Sequence, residues 1–184
     1  MSTTHTIHKH LILQSQQGDE AAMASLYGLY AKAMYNICRR MMGDEEEAKD
    51  LLQESFIQAF QKLPSLREVN TFSSWIKRIV VNNCINSIRK KKLDIDQLRE
   101  NVDFVEEQDD FDYMKYRASQ VISAIDLLPH GCKTVLNLYL FEGYDHKEIG
   151  EILRITESAS KAQYCKAKAK IRKILADERN QNVG

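Results

Sequence analysis

Residues 71–91 carry the sequence TFSSWIKRIVVNNCINSIRKK, and this stretch decides the fold class of the chain. Phe72, Ile76, Ile79 and Val80 recur at the three- and four-residue spacing of an α-helix. Neither Gly nor Pro interrupts the run, so the spacing predicts one long amphipathic helix. Such a helix must bury its apolar stripe against other elements, and the neighbouring sequence indicates that these are helices too.

Two helices are predicted on the N-terminal side of this segment. Asp19 can cap a helix that ends near Gly43, and Asp44 can cap a second helix that Pro64 stops. The apolar positions of the two helices, in chain order, are Met23, Leu26, Tyr27, Tyr30, Met34, Ile37, Leu52, Phe56, Ala59, Phe60 and Leu63. We expect these three helices to pack as one bundle.

Four helices are predicted toward the C-terminus. The first starts near Tyr113 and the second ends near Gly143. Asp145 and Thr156 can cap the third and fourth, and this closing pair is a helix-turn-helix candidate. The predicted inner stripe of the last helix consists of Tyr164, Ala167, Ile171 and Leu175.

The charge is neutral over the whole chain but not along it. Residues 1–92 contain 13 basic and 9 acidic side chains, residues 93–130 contain 3 and 10, and residues 131–184 contain 10 and 7. Without sustained periodicity, the acidic residues 93–112 are predicted to be a flexible linker. The chain is therefore expected to be all-α, with an N-terminal helix bundle (1–92) and a C-terminal four-helix domain joined by this linker. The block pattern of charge fits a polyanionic partner.

One face of the 71–91 helix is predicted to touch nucleic acid. Its side chains are spaced three, four, four and three residues apart: Trp75, Arg78, Asn82, Asn86 and Arg89. Arg pairs with phosphate, Asn matches base edges, and Trp offers a flat face to an unstacked base; Phe72 and Lys77 would add to this surface. The alternative is a solvated face with Trp75 as an anchor of the core.

The last helix is the second candidate for contact with DNA. Its polar and basic side chains would face base edges and phosphates in a major groove: Ser158, Ser160, Lys161, Gln163, Tyr164, Lys166, Lys168 and Arg172. A basic amphipathic helix can also bind an acidic protein or a membrane surface. The short turn between two capped helices favours DNA.

Enzyme motifs are absent from the sequence. It contains no Gly-rich phosphate loop, no nucleophile elbow and no paired-His zinc motif. We expect no cofactor and no metal, and we interpret His5, His8 and His10 as part of a frayed terminus. The sequence contains no apolar run that spans a membrane and no signal peptide, so we expect a cytoplasmic protein without membrane insertion.

Two front segments resemble those of a known family. Residues 50–56, DLLQESF, are similar to the Asp-x-x-Gln-Glu-x-Phe segment of small bacterial sigma factors of the extracytoplasmic-function (ECF) class. Residues 72–82, FSSWIKRIVVN, resemble the Phe-x-x-Trp-Leu-x-Arg-Ile-x-x-Asn segment of that class. Residues 127–129 and 144–170 are similar to its fourth conserved domain.

The resemblance implies a transcription initiation factor. Asp50, Gln53 and Glu54, by themselves an ordinary polar patch, would dock on the clamp helices of the largest subunit of core RNA polymerase. The third predicted helix and the loop 65–71 would recognise the downstream (minus-ten) promoter element and hold a flipped base of the nontemplate single strand. The last helix would read the upstream (minus-thirty-five) element as duplex, and an anti-sigma protein is a further partner in this class.

Three positions depart from the family pattern, and two other functions remain open. Arg154 stands where the turn usually has Gly, Gln163 where Arg is frequent, and Asn86 where Asp is common. One alternative is a stand-alone helix-turn-helix regulator that binds an operator without polymerase. The other is a helical interaction protein whose basic faces bind acidic proteins.

Overall fold

The computed structural model describes residues 3–91 and 117–181, and the chain separates into two compact units, Met1–Leu93 and Asp94–Gly184. The described residues of the first unit form Thr3–Gln16 (α1), Glu20–Met42 (α2), Glu45–Lys62 (α3) and Phe72–Lys91 (α4). Those of the second unit form Ala118–Asp126 (α5), His130–Leu140 (α6), His146–Leu153 (α7) and Glu157–Gln181 (α8). No strand occurs in these ranges, and the all-α prediction is confirmed.

The predicted caps set the helix boundaries in the first unit. The Asp19 carboxylate accepts the backbone N–H of Ala22 at 3.0 Å, and the Asp44 carboxylate accepts that of Glu47 at 2.9 Å. Gly43 ends α2 in the left-handed conformation with φ 80°, where a Cβ would be unfavourable. These local signals are why α2 and α3 begin where the sequence predicts.

The segment between α3 and α4 is a short irregular connection. Pro64 lies in a 3-10 turn at Leu63–Ser65, and a second 3-10 turn at Val69–Thr71 leads directly into α4. Leu63 is fully buried and anchors the start of the connection, whereas Arg67 and Asn70 are exposed. This segment, residues 63–71, is called the α3–α4 loop below.

The core of the first unit lies between α2, α3 and α4. Leu26, Phe56, Ile76 and Val80 are buried there, as the helical spacing predicts. The Tyr27 side chain is 38% exposed and lies at the rim rather than inside. It stacks edge-on against Phe56, so its ring still covers core residues.

The expectation of a frayed N-terminus and a three-helix bundle is wrong. Thr3–Gln16 forms a fourth helix that packs on α2 and on the α3–α4 loop. Ile12 and Ser15 are almost completely buried by this packing. The apolar stripe of α1 is short and lies between polar residues, so its periodicity is weak in the sequence.

Helix α8 holds the second unit together, because α5, α6 and α7 all pack against it. In α6, every residue from Cys132 to Leu138 is buried. The inner stripe of α8 supplies Ala167, Ile171 and Leu175 to the same core. The four-helix arrangement predicted from the sequence is present.

The helix-turn-helix is formed by α7 and α8. Asp145 and Glu148 make a reciprocal capping box, in which each carboxylate accepts the other's backbone N–H at 2.8 Å. A Cβ on Gly150 would lie 2.9 Å from the Ile155 carbonyl oxygen, so only glycine allows the turn to fold back this closely. Thr156 Oγ1 accepts the N–H of Ala159 at 3.0 Å and caps α8 as predicted.

The predicted linker 93–112 and the predicted helix start at Tyr113 lie outside the described residues. Within the described ranges, none of the helices combines the length and the apolar character needed to cross a membrane.

Candidate nucleic-acid interface

The predicted nucleic-acid face of α4 is a continuous surface. Arg78, Asn82 and Asn86 are exposed, and Trp75 and Arg89 are half-buried on the same side of the helix. Lys77, also half-buried, lies beside this stripe rather than within it. The structure thus brings together amide, guanidinium and indole groups over four turns of one helix.

The prediction that Phe72 contacts nucleic acid is wrong. Its side chain is 1% exposed, so it cannot reach a nucleic acid. Its ring centroid lies 5.1 Å from that of Tyr30 and 5.8 Å from that of Trp75. Phe72 therefore belongs to the core, where it supports the half-exposed indole of Trp75.

The patch on α3 is exposed as a unit. Asp50, Gln53 and Glu54 all point to solvent, one helical turn or less apart. Ile57 continues the same face and is 59% exposed, but the sequence interpretation assigned it no role. An exposed isoleucine beside two carboxylates gives this face both charge and an apolar contact point.

A groove between α3 and α4 connects the two surfaces. Asn83 Nδ2 donates to Ser55 Oγ at 3.1 Å, and Ser55 Oγ donates to the Leu51 carbonyl at 2.7 Å, which fixes α4 against α3. The groove has a volume of about 420 Å³ and contains Glu54 of the patch and Asn86 and Arg89 of the α4 face. Patch and face therefore share one edge of the first unit.

The proposed recognition helix α8 presents its cations unevenly. Ser158 and Lys161 are exposed, and Lys161 forms an ion pair with Glu157 at 2.8 Å. Lys166 and Arg172 are half-buried, and the Lys168 ammonium lies 5.4 Å from the centroid of the Tyr164 ring. Lys168 is thus held by a cation–π contact near the predicted duplex side.

The prediction that Ser160 and Gln163 face DNA is also wrong. Ser160 is fully buried and Gln163 is 7% exposed, so neither faces a DNA groove. Ser160 Oγ lies 3.0 Å from His146 Nδ1, and Cys132 Sγ donates to Gln163 Oε1 at 3.0 Å. Both side chains fasten α8 to the rest of its unit.

Three helices meet at His146. Its ring stacks on Tyr139 of α6 with centroids 4.5 Å apart, and Tyr164 of α8 approaches it edge-on at 5.6 Å. Burial, and then the positive charge of Lys161, lower the pKa of His146 below its ordinary value. The lowered pKa favours the neutral form of this imidazole, which lies where α6, α7 and α8 meet.

Ala162 and Cys165 are two further residues on the outward side of α8. They follow Ser158 at four- and three-residue steps and lie opposite the buried Ser160 and Ala167. Small side chains at these positions allow close approach to another surface. Neither residue is strongly polar, so only its position on the outward face, and not its side-chain chemistry, indicates a contact with DNA.

Comparison with known proteins agrees with this arrangement. Residues 26–93 match the family described as Sigma-70 region 2, and residues 118–171 match Sigma-70, region 4. The chain is 31% identical over 181 residues to the ECF RNA polymerase sigma factor SigW of Bacillus subtilis, covering 92% of this chain and 97% of that protein. The chain belongs to the ECF sigma factor family.

Other sigma factors are similar over most of the chain. ECF sigma factor SigE of Mycolicibacterium smegmatis is 27% identical over 174 residues, which covers 90% of this chain and 67% of that protein. The structure of CnrH in complex with the cytosolic domain of CnrY superposes with a TM-score of 0.54 at 19% identity, over 92% of this chain and 97% of that one. That of RpoE bound to the anti-sigma factor NepR from Bartonella quintana gives 0.55 at 17% identity, over 83% and 96%. Both likenesses concern the fold.

Family membership decides between the functions left open. A stand-alone helix-turn-helix regulator accounts for the second unit but leaves the ordered front segments without a role. The match to Sigma-70 region 2 covers both α3 and α4. The α3 patch and the α4 face therefore both lie within a region that belongs to the sigma factor family.

Proposed function

We propose that this sigma factor binds core RNA polymerase and directs it to promoters through two separate DNA contacts. The first domain, residues 1–92, reads the downstream element, and the second, residues 113–184, reads the upstream element across the linker 93–112. The observation that carries the proposal is the presence of an exposed acidic patch and an exposed nucleic-acid face on one small helical unit. The catalytic chemistry belongs to the polymerase, so the chain works in the cytoplasm without enzyme activity or cofactor of its own.

Polymerase docks on α3 in this proposal. The carboxylates of Asp50 and Glu54 and the amide of Gln53 are exposed and accept hydrogen bonds from a basic helical partner such as the clamp helices. Ile57, 59% exposed, supplies an apolar contact one helical turn beyond Gln53 and Glu54 on the same face.

The face of α4 holds the melted downstream element. Arg78 and Arg89 neutralise backbone phosphates, and the amides of Asn82 and Asn86 match base edges. The indole of Trp75 stacks on an unpaired base, which offsets the few kcal/mol that unstacking costs.

The upstream duplex lies against the outward side of α8. Ser158, Ala162 and Cys165 approach the groove, while Lys161, Lys166, Lys168 and Arg172 approach phosphates. Lysine provides point charges rather than the two-pronged pairing of arginine with guanine. Affinity at this element therefore depends more on phosphate contacts than on base contacts.

An anti-sigma protein is a further proposed partner. The related fold of RpoE was solved with the anti-sigma factor NepR. The exposed Ile122, Leu127 and Leu140 of the second unit offer such a protein apolar contacts.

The test combines the purified chain with core polymerase and promoter-bearing genomic fragments. We expect discrete transcripts that core polymerase alone does not produce. A triple alanine variant of Asp50, Gln53 and Glu54 should lose them because polymerase docking fails. The matched control replaces Gln17, Glu20 and Asn36, which are exposed and lie outside α3. Absence of discrete starts with the unmodified chain would contradict the proposal.

A further inference from the structure

Helix α1 precedes the region 2 match, which begins at residue 26, yet it contacts the loop that leads into the nucleic-acid face. It packs against α2 and against both 3-10 turns of the α3–α4 loop. The sequence interpretation gave this helix no role. The polar contacts of α1 show which parts of the α3–α4 loop it fixes in place.

Gln16, the last residue of α1, ties down the first half of the loop. Its Nε2 donates to the Leu63 carbonyl at 3.1 Å and to the Leu66 carbonyl at 2.8 Å. These two carbonyls lie at either side of the 3-10 turn that contains Pro64. A single amide therefore fixes both the turn and the direction in which the chain leaves it.

A second contact of α1 reaches the end of the loop through α2. The hydroxyl of Tyr30, a residue of α2, lies 3.3 Å from His8 Nδ1 of α1 and 3.1 Å from Ser73 Oγ in the first turn of α4. The Tyr30 ring also packs edge-on against Phe72, whose ring in turn supports Trp75. Helix α1 thus reaches the loop at both of its ends.

The loop has few internal bonds to replace these ties. Leu66 N–H donates to the Leu63 carbonyl at 3.0 Å, and at the other end of the loop the N–H and the Oγ1 of Thr71 donate to the Glu68 carbonyl at 2.9 and 2.7 Å. The intervening Arg67 is exposed, so the core does not fix the backbone there. Hydrogen bonds from outside the loop therefore have a large effect on its backbone conformation.

We propose that α1 positions the α3–α4 loop for recognition of the downstream promoter element, with Gln16 as the positioning residue. Gln16 touches no DNA itself; it presents the exposed Arg67, Glu68 and Asn70 and the start of α4 in the geometry that a displaced strand requires. This inference rests on the proposed function of the loop and of the α4 face. It adds α1 to the elements that determine promoter specificity.

The experiment uses the full chain reconstituted with core polymerase. The variant Gln16→Met keeps the length of the side chain and removes both donors, and Gln17→Met is the matched control at an exposed neighbour. Transcription is measured on one promoter, on single-base variants of its downstream element, and on single-base variants of its upstream element. We expect Gln16→Met to reduce discrimination at the downstream element about three- to tenfold, the size expected for one or two lost hydrogen bonds. Discrimination at the upstream element should stay the same.

A second variant, Tyr30→Phe, removes the hydroxyl at the other end of the loop and keeps the ring packing. It should give the same downstream-specific loss, with the melting temperature recorded for all variants. The inference is overturned if both variants discriminate like the unmodified chain, or if discrimination falls equally at both elements. If the unmodified chain starts no transcription with polymerase, the proposed function itself fails, which is a separate result.

Discussion

Arg154 shows how a single residue sets the geometry of the helix-turn-helix. It ends α7 in the left-handed conformation, with φ 59° and ψ 44°, and its N–H donates to the Gly150 carbonyl. The Cβ of any residue other than glycine is crowded in this conformation, at a cost of about 1 kcal/mol. The family pattern of Gly at this position thus has a physical reason, and this chain carries strain there.

Replacing Arg154 by glycine should therefore stabilise the second unit. We expect Arg154→Gly to raise the local free energy of unfolding by about 1 kcal/mol, because the strain disappears. Hydrogen exchange of the α7 and α8 amides in the full chain measures this change. Arg154→Ala removes the same charge but keeps a Cβ, so its exchange should not slow. Equal slowing in both variants would assign the effect to charge instead.

His146 makes the same unit sensitive to acid. Because burial lowers its pKa in the folded state, the unfolded state binds more protons below about pH 6.5. Stability from this group is therefore complete at neutral pH and decreases as the pH falls through 6.5 toward the lowered pKa. The nearby Asp145 and Glu157 act in the opposite direction and limit the effect.

The matched variant is His146→Phe, which can stack on Tyr139 but cannot titrate. Thermal melting should show that acidification from about pH 8 to about pH 5 lowers the stability of the unmodified chain more than that of the variant. If acidification lowers the stability of both proteins equally, His146 is not the cause of the acid sensitivity.

The sequence predicted some residue roles and missed others for a common reason. The inner stripe of α8, with Ala167 and Ile171, was predicted correctly, and the same stripe extended toward the N-terminus includes Ser160 and Gln163. Those two were assigned to DNA because they are polar, although their position on the helix places them inside. Their hydrogen-bond partners, His146 and Cys132, are distant in sequence and could not be identified from it.

At the level of elements, the proposed nucleic-acid surfaces of α4 and α8 differ in chemistry. The face of α4 combines the exposed amides of Asn82 and Asn86 with an indole, which suits unpaired bases. Helix α8 has lysines around small side chains, which suits the phosphates of duplex DNA.

This difference predicts different losses of specificity. Asn82→Ala should reduce initiation mainly on promoters that match the downstream element, by about fivefold to a hundredfold for one lost base contact. Lys168→Ala should weaken initiation to a similar degree on all upstream sequences and reduce the salt dependence. Runoff transcription from promoters with either element altered measures both. The reverse pattern would contradict the assignment of the two helices.

Helix boundaries were the most predictable property of the elements, because capping is local. Asp19, Asp44, Asp145 and Thr156 each cap the helix that the sequence assigns to them. Helix α1 was missed because its stability comes from packing on α2 and the α3–α4 loop rather than from a strong stripe of its own.

On the scale of the whole molecule, the charge pattern separates two basic units by an acidic segment. Residues 1–92 and 131–184 each carry a small excess of basic groups, and residues 93–130 carry a clear excess of acidic ones. Two modest contacts on one chain gain from effective concentration, so neither unit has to bind DNA tightly alone. In the proposed function, polymerase supplies the third contact, through α3, and holds both units at one promoter.

The most direct measurement compares promoter binding by the purified chain with and without core polymerase at physiological salt. We expect weak, salt-sensitive and sequence-independent binding by the chain alone. With polymerase present, we expect specific protection of both promoter elements. Tight and specific protection by the chain alone, or protection that polymerase does not change, would contradict the account.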